Sequence, residues 1–329
     1  MKKIAINGFG RIGRAALKVI MATPELEVIA VNDLLHIENA AYLLRHDSVY
    51  GKYEKEVSVQ EDYLHVGDRK VKYLSERNPA DLPWKDLGVE VVIESTGFFT
   101  NREDAEKHIH AGAKTVVISG PTKSRDTPTV VHGVNTADGR VSIFSCASCT
   151  TNSISPLIEI LGRRIGIKKA ILNTTHAYTA SQSLVDGPSK KEPRMGRAAG
   201  MNLAPAATGA AIATTKALPQ YAGKSDGIAV RSPVVVGSIS DITFIATRNT
   251  SVEEINHILK EESATDRYKE VVAVTDEPLV STDIIKSAYA ATIDLELTRD
   301  VDGDLVKVMA WYDNEWGFTN QMIREIRSL

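Results

Sequence analysis

Short β-branched and apolar runs alternate with amphipathic stretches through the first half of the chain. Residues 3–7 predict a buried strand, 11–21 a helix and 27–32 a second strand. Residues 89–94 and 114–119 predict further strands with a helical stretch at 102–111 between them, and 141–145 predicts a strand that closes this region. Such alternation implies βαβ units, hence a doubly wound parallel sheet with helices on both faces. Ser148 reads as the cap of a helix starting near Cys149, with Pro156 tolerated only near its first turns. Beyond it the pattern changes. Strands at 170–176, 227–231, 238–247, 291–297 and 305–311 outnumber helices and predict an α+β domain with a largely antiparallel sheet. Residues 179–207 form a long polar stretch with little apolar periodicity, and such stretches inside a compact domain are usually functional. Residues 319–328 predict a closing helix that packs back onto the first domain.

Composition narrows the class. A length of 329 residues suits two domains, and 43% hydrophobic with 25% charged residues is ordinary for a soluble globular chain. The net charge of −3 offers no attraction for nucleic acid or an anionic membrane. No run approaches the ~20 apolar residues that span a bilayer. The first residues enter a glycine loop too soon for a signal peptide, and 2 cysteines make no disulfide framework. A cytoplasmic location is expected.

Gly8-Phe9-Gly10-Arg11-Ile12-Gly13 follows the first strand and opens the first helix. Gly8 suits the tight turn, Gly10 lets the backbone approach a pyrophosphate, and Gly13 allows close helix–strand packing. The helix N-terminus then offers free N–H groups to phosphate oxygens. Asp33 ends the next strand, placed to bind ribose hydroxyls and repel a 2′-phosphate, so the expected cofactor is NAD rather than NADP. The first domain is thus expected to be of Rossmann type. The competing reading is a tight turn with no ligand. Glu94-Ser95-Thr96-Gly97, Ser119-Gly120 and Arg77 lie at or near predicted strand ends, where ligands bind in open α/β sheets; singly, each also reads as ordinary loop chemistry.

Ser148-Cys149-Thr150-Thr151-Asn152 is the most informative short string. A helix N-terminus and a nearby imidazole both lower a thiol's pKa, and the flanking hydroxyls suit an anionic oxygen. A buried structural cysteine is the alternative, of equal weight on chemistry alone. His176 ends a strong strand and is a candidate to activate Cys149 and move a proton, with a merely hydrogen-bonded histidine as the alternative. His108 and His110 face different directions on a helix, so no metal site is expected. Cys146 and Cys149 form a C-x-x-C at a strand–helix junction, which argues against a thioredoxin-like role and leaves an inactivating disulfide as a narrower idea.

With these residues assembled, the chain resembles phosphorylating glyceraldehyde-3-phosphate dehydrogenases along essentially its whole length. The matching strings are Asn7-Gly8-Phe9-Gly10-Arg11-Ile12-Gly13-Arg14, Glu94-Ser95-Thr96-Gly97, Ala147-Ser148-Cys149-Thr150-Thr151-Asn152, Asp186-Gly187-Pro188-Ser189-Lys190-Lys191, Thr208-Gly209-Ala210-Ala211 and Trp311-Tyr312-Asp313-Asn314-Glu315-Trp316-Gly317. The resemblance implies an NAD-binding domain over residues 1–148, completed by 314–329, and a catalytic domain over 149–313. It implies Cys149 as a nucleophile that passes through a thiohemiacetal and a thioester, His176 as its base, and inorganic phosphate as the group that releases the acyl phosphate. Thr179 and Arg231 would hold the phosphate of glyceraldehyde 3-phosphate, and a guanidinium suits that task. Ser148, Thr150, Thr208 and Gly209 would hold the attacking phosphate. Arg11, Ile12, Asp33, Arg77, Ser119 and Asn314 would contact NAD. The stretch 179–207 matches a loop that packs between subunits of a homotetramer, and its Pro188 with Asp33 fits the NAD-preferring pattern.

Five positions depart from the family's pattern: Cys146 for asparagine, Ser153 for a second cysteine, Met195 for an arginine, Gly120 for alanine and Phe318 for tyrosine. Met195 bears on the attacking-phosphate site and Phe318 on the nicotinamide side. Two other readings stay in view. Erythrose-4-phosphate dehydrogenase shares the machinery but releases its thioester with water. A catalytically silent NAD- or RNA-binding protein would not need Cys149, His176 and Arg231 together. Semialdehyde dehydrogenases are a more distant alternative, expected to lack paired phosphate sites.

Overall fold

The computed structural model describes residues 1–137, 141–189 and 192–329. These fall into two compact units, one of Met1–Val130, Thr136–Ala147 and Met322–Leu329, the other of Val131–Asn135 and Ser148–Gln321.

The first unit runs β1 (Lys2–Asn7), α1 (Arg11–Met21), β2 (Leu26–Asn32), α2 (Ile37–Arg45), β3 (His46–Asp47), β4 (Gly51–Lys52), β5 (Val57–Gln60), β6 (Tyr63–Val66), β7 (Arg69–Leu74), α3 (Trp84–Leu87), β8 (Val91–Glu94), α4 (Arg102–His110), β9 (Thr115–Ile118) and β10 (Ile143–Ser145). Its main sheet has the order β10-β9-β8-β1-β2-β7-β6-β5. All four residues of β8 are buried, three of them an apolar run that suits the middle of a parallel sheet, and Glu94 closes the strand. The sheet is not parallel throughout, as the pattern of the first half implied. β5, β6 and β7 form an antiparallel meander at one edge. Residues 57–74 do alternate apolar and polar positions with period two, which is the signal for it. Trp84, Val92, Val116 and Ile118 belong to a core cluster of this unit. Strand β1 lies between β2 and β8, so the chain order reverses there, and a crevice opens at the carboxyl ends of these strands.

The second unit runs α5 (Cys149–Arg164), β11 (Ile167–Ala177), β12 (Ala204–Ala207), α6 (Ala210–Ala217), β13 (Ser225–Ser232), β14 (Ser238–Ala246), α7 (Val252–Ser263), β15 (Val272–Thr275), β16 (Ala291–Val301) and β17 (Leu305–Tyr312). The last helix, α8 (Trp316–Ser328), begins in this unit and ends in the first. The sheet order is β12-β13-β11-β14-β17-β16-β15. Among the described residues only β11–β13 and β15–β16 pair in parallel here, so the sheet is largely antiparallel. Strand β14 alternates buried and half-buried residues over its whole length, the mark of a sheet with one face on a core.

Two details differ from the expectation. Helix α5 continues well past Pro156, which sits in its interior. That proline removes one backbone hydrogen bond, but Ile154, Leu157, Ile158, Ile160 and Leu161 are buried around it, and this packing outweighs a weak local propensity. The stretch 179–207 is not irregular throughout, because it ends in β12. The sequence Ala204-Pro205-Ala206-Ala207 carries no strand signal, and proline is accommodated because β12 is an edge strand. Lys190 and Lys191 lie outside the described residues.

Candidate active site

In the first unit, Gly8 follows β1 with φ +95°, a conformation that favours glycine. A β-carbon there would lie 2.5 Å from the Thr96 amide nitrogen, and one at Gly13 would collide with the Gly8 carbonyl. At Gly10 a β-carbon would meet nothing within 4 Å. The first two glycine requirements are therefore imposed by the fold, whereas the third leaves open space in front of the helix. Asp33 accepts hydrogen bonds from Phe9 N at 2.5 Å and Leu35 N at 2.8 Å, one on each carboxylate oxygen. Each oxygen keeps a lone pair for a further donor.

A cavity of about 560 Å³ opens here, and Gly8, Gly10, Asp33, Arg77 and Thr96 line it together with Asn7, Asn32, Leu34, Glu76, Ser95, Phe98 and Phe99. Phe98 and Phe99 follow Gly97 directly in the chain, and two adjacent aromatics after a strand-end glycine are the signal for them. Of the other residues expected at the cofactor, Arg11 opens α1, pairs its guanidinium with Asp47 at 2.6 Å and covers the Tyr50 ring. Ile12 and Gly13 continue the first turn of α1, Gly97 adjoins Thr96, and Ser119 sits at the end of β9; none of the four lines the cavity.

Buried polar groups hold the floor of this cavity. Glu94 accepts from Asn7 Nδ2 at 2.6 Å, Thr96 N at 2.9 Å and the Thr96 hydroxyl. Trp84 Nε1 donates to His108 Nδ1 at 3.0 Å, so the His108 proton is on Nε2, which donates to Glu94 at 3.1 Å. Asn32 bridges Asn7 and the backbone of Glu76. Turn glycines, a carboxylate at the end of β2, a free helix N-terminus and an open cavity fit a dinucleotide.

In the second unit, Ser148 caps α5. Its Oγ accepts from Thr151 N at 3.1 Å and lies 2.8 Å from Thr151 Oγ1. The capped turn places Cys149 at the first helical position, half-buried, with Sγ 3.3 Å from His176 Nε2. His176 and Arg231 are register partners on the parallel strands β11 and β13, which brings together two residues far apart in the chain. Arg231 Nη1 lies 2.7 Å from His176 Nδ1 and 3.1 Å from the Ala177 carbonyl. The Ala177 carbonyl is itself 2.6 Å from Nδ1. Carbonyl oxygens only accept and guanidinium only donates, so Nδ1 serves one of the two at a time. Arg231 Nε is buried with no hydrogen-bond partner among the described residues.

Burial lowers the His176 pKa from 6.5 to about 4, and the Arg231 charge pushes the same way. The Cys149 thiol departs from expectation. Burial pushes its pKa up, while Arg231 and the hydrogen-bond donors of Thr150 oppose that rise. Neither group ionises readily alone, but moving the proton from Sγ to Nε2 charges both at once and leaves two opposite charges paired.

The residues expected at phosphate oxygens each have hydrogen-bond partners of their own. Thr150 Oγ1 is buried 2.9 Å from the Tyr312 hydroxyl. Thr179 Oγ1 lies 2.8 Å from Ser181 Oγ, and Thr208 Oγ1 accepts from Ala210 N at 3.1 Å beside the exposed Gly209. Asn314 Oδ1 accepts from Gly237 N and Ser238 Oγ, both at 3.2 Å, which turns its Nδ2 into the remaining donor. Among the described residues no group of three or more His, Cys, Asp or Glu side chains could hold a metal ion, and no helix is long and apolar enough to cross a membrane.

A dinucleotide cradle in one unit and a cysteine–histidine pair in the other define an NAD-linked oxidoreductase. A family model of the glyceraldehyde 3-phosphate dehydrogenase NAD binding domain matches residues 2–102, and the model of that family's C-terminal domain matches residues 148–314. The glyceraldehyde-3-phosphate dehydrogenase of Clostridium acetobutylicum is 45% identical over 332 residues, spanning 99% of this chain and 98% of the relative. Glyceraldehyde-3-phosphate dehydrogenase 2 of Streptomyces arenae is 46% identical over 325 residues, spanning 98% and 96%. The chain belongs to the glyceraldehyde-3-phosphate dehydrogenase family.

Proposed function

We propose that the chain oxidises glyceraldehyde 3-phosphate with NAD and inorganic phosphate, forming 1,3-bisphosphoglycerate through a thioester on Cys149. The observation that carries this reading is the contact of Cys149 Sγ with His176 Nε2 at 3.3 Å, backed by Arg231. Cys149 sulfur adds to the aldehyde carbon, and its proton passes by way of His176 to the carbonyl oxygen. His176 then removes the hydroxyl proton as that carbon becomes a thioester. Gly8, Gly10, Asp33, Arg77 and Thr96 would hold NAD, with Asn314 as a further donor to it, and the bound cofactor would accept the hydride that the substrate carbon loses. A phosphate oxygen attacks the thioester carbonyl, the C–S bond breaks, and the Cys149 sulfur leaves with its electron pair.

Arg231 and Thr179 bind the substrate's own phosphate in this reading. A phosphate that draws the guanidinium from Nδ1 leaves that nitrogen to donate to the Ala177 carbonyl, and the Nε2 lone pair then faces the sulfur as a base should. Ser148, Thr150, Thr208 and Gly209 hold the attacking phosphate, and Ser148 serves it through its proton while Thr151 N and Thr151 Oγ1 donate to Ser148 Oγ. The division of labour places cofactor binding in 1–148 with 314–329, and catalysis in 149–313. The reading also carries a homotetramer working in the cytoplasm. Leu184, Val185, Met201 and Leu203 support that assembly, being 69–86% exposed on the long stretch after Thr179.

The test is NADH formation from glyceraldehyde 3-phosphate with and without inorganic phosphate. Phosphate-dependent turnover that drops at least about a thousandfold in Cys149→Ser supports the reading. Turnover indifferent to phosphate assigns hydrolytic release and the erythrose-4-phosphate activity instead.

A further inference from the structure

Tyr312 takes no part in the chemistry above, yet it is buried at the base of the cysteine–histidine pair with 1% of its surface exposed. Its hydroxyl lies 2.9 Å from Thr150 Oγ1 and 2.8 Å from Thr174 Oγ1, and its ring stands edge-on to His176 with centroids 6.0 Å apart. One phenol, from the end of β17, thus joins the residue after Cys149 to the residue two before His176. Thr174 and Ser240 are register partners on β11 and β14, and the Ser240 hydroxyl also reaches Tyr312.

The direction of these hydrogen bonds is constrained. Thr174 Oγ1 has one proton for two neighbours, the Ile239 carbonyl at 3.2 Å and the Tyr312 hydroxyl at 2.8 Å, so it accepts from Tyr312 while it donates to the carbonyl. A phenol proton given to Thr174 obliges the Thr150 hydroxyl to donate to Tyr312, leaving Thr150 no proton for the sulfur. A phenol proton given to Thr150 frees the Thr150 proton for Cys149 Sγ, and the Thr150 hydroxyl stands where it favours the charged sulfur. Thr174 then turns its proton from the Ile239 carbonyl to the phenol oxygen, so their 2.8 Å contact keeps a hydrogen. Passing between the two arrangements rotates three hydroxyls, and no proton leaves its oxygen. Burial and the neighbouring sulfur hold the Tyr312 pKa above its ordinary value, so it stays a donor.

We propose that Tyr312 is a positioning residue whose hydroxyl turns the Thr150 proton onto Cys149 Sγ when the sulfur is charged, and turns to Thr174 when it is neutral. The proposal rests on the reading of Cys149 as the nucleophile. The charged and titratable groups facing that sulfur are His176 from β11, Arg231 from β13 and Tyr312 from β17.

The experiment is the rate of Cys149 alkylation by iodoacetamide against pH, with peptide mapping, on the full chain. In Tyr312→Phe the midpoint rises by about one pH unit, the size of one hydrogen bond to a charged group. In Thr174→Val it does not rise, because the competing acceptor is gone and the relay stays on the sulfur. A merely structural role moves both variants the same way. A wild-type midpoint in Tyr312→Phe, or a rise in Thr174→Val matching it, overturns the proposal. If Tyr312→Phe fails to fold, Thr150→Val must raise the midpoint and Thr150→Ser restore it, and equal midpoints in these two overturn it as well. Aldehyde oxidation that survives Cys149→Ser sinks the underlying reading instead.

Discussion

His176 carries the clearest energetic consequence of a single side chain in this molecule. Its pKa falls from 6.5 to about 4 on folding. Between those values the unfolded chain binds the proton and the folded one does not, so stability drops as pH falls through 6.5 and the loss is complete below about 4. By pH 4.5 the loss from this one buried group amounts to about 2–3 kcal/mol. Urea unfolding at pH 7 and pH 4.5 should therefore show a smaller acid loss in His176→Asn than in wild type, by roughly that amount. Equal losses in the two proteins would mean that the imidazole is not held neutral. The same neutrality is what a base for the Cys149 thiol requires, so the residue's stability cost and its chemistry have one origin: burial beside Arg231.

At the scale of the element, the β1–α1 turn separates two uses of glycine. Gly13→Ala pushes a β-carbon into the Gly8 carbonyl, which should cost about 1–3 kcal/mol of stability. Gly10→Ala places its β-carbon in open space at an unstrained φ of −70°, so stability should change by less than about 0.5 kcal/mol. NAD affinity should nonetheless fall by about tenfold or more, because that methyl occupies the approach of the pyrophosphate. Thermal unfolding and NAD titration on both variants check the pair. Unchanged NAD binding in Gly10→Ala would place the phosphates elsewhere.

At the scale of the whole molecule, the chain returns at its end to the unit where it began. Ile326 is fully buried, Lys2 Nζ donates to the Ile326 carbonyl at 2.8 Å, and Arg327 pairs with Glu25 at 3.0 Å. Ile326→Ala should cost about 2–5 kcal/mol, and chemical denaturation should show it as an earlier transition. The proposed assembly belongs to the same scale: Leu184 and Met201 are 86% and 85% exposed, and subunit packing would cover them. Sedimentation should give a tetramer at working concentration, and Leu184→Asp should shift it towards smaller species; a wild-type monomer contradicts the assembly.

Local patterns carried much of this protein into view. The alternation of strands and helices, the Gly8–Gly13 turn with Asp33, and the Ser148 cap before Cys149 depend on neighbours a few residues apart, so they are written in the chain itself. The β5–β7 meander was equally local in its period-two pattern. Other features depend on distant partners. Helix α5 continues past Pro156 because buried side chains around it outweigh propensity, and β12 exists because β13 offers a ladder to Ala204–Ala207. The thiol of Cys149 is pushed up by burial where its helix position alone would have lowered it. Arg231 meets His176 through strand register, and Tyr312 meets Thr150 across 162 residues of chain. Residue types and short spacings set which groups were available to react. Only tertiary packing decided which of them touch, which are kept from water and therefore which way their protons face.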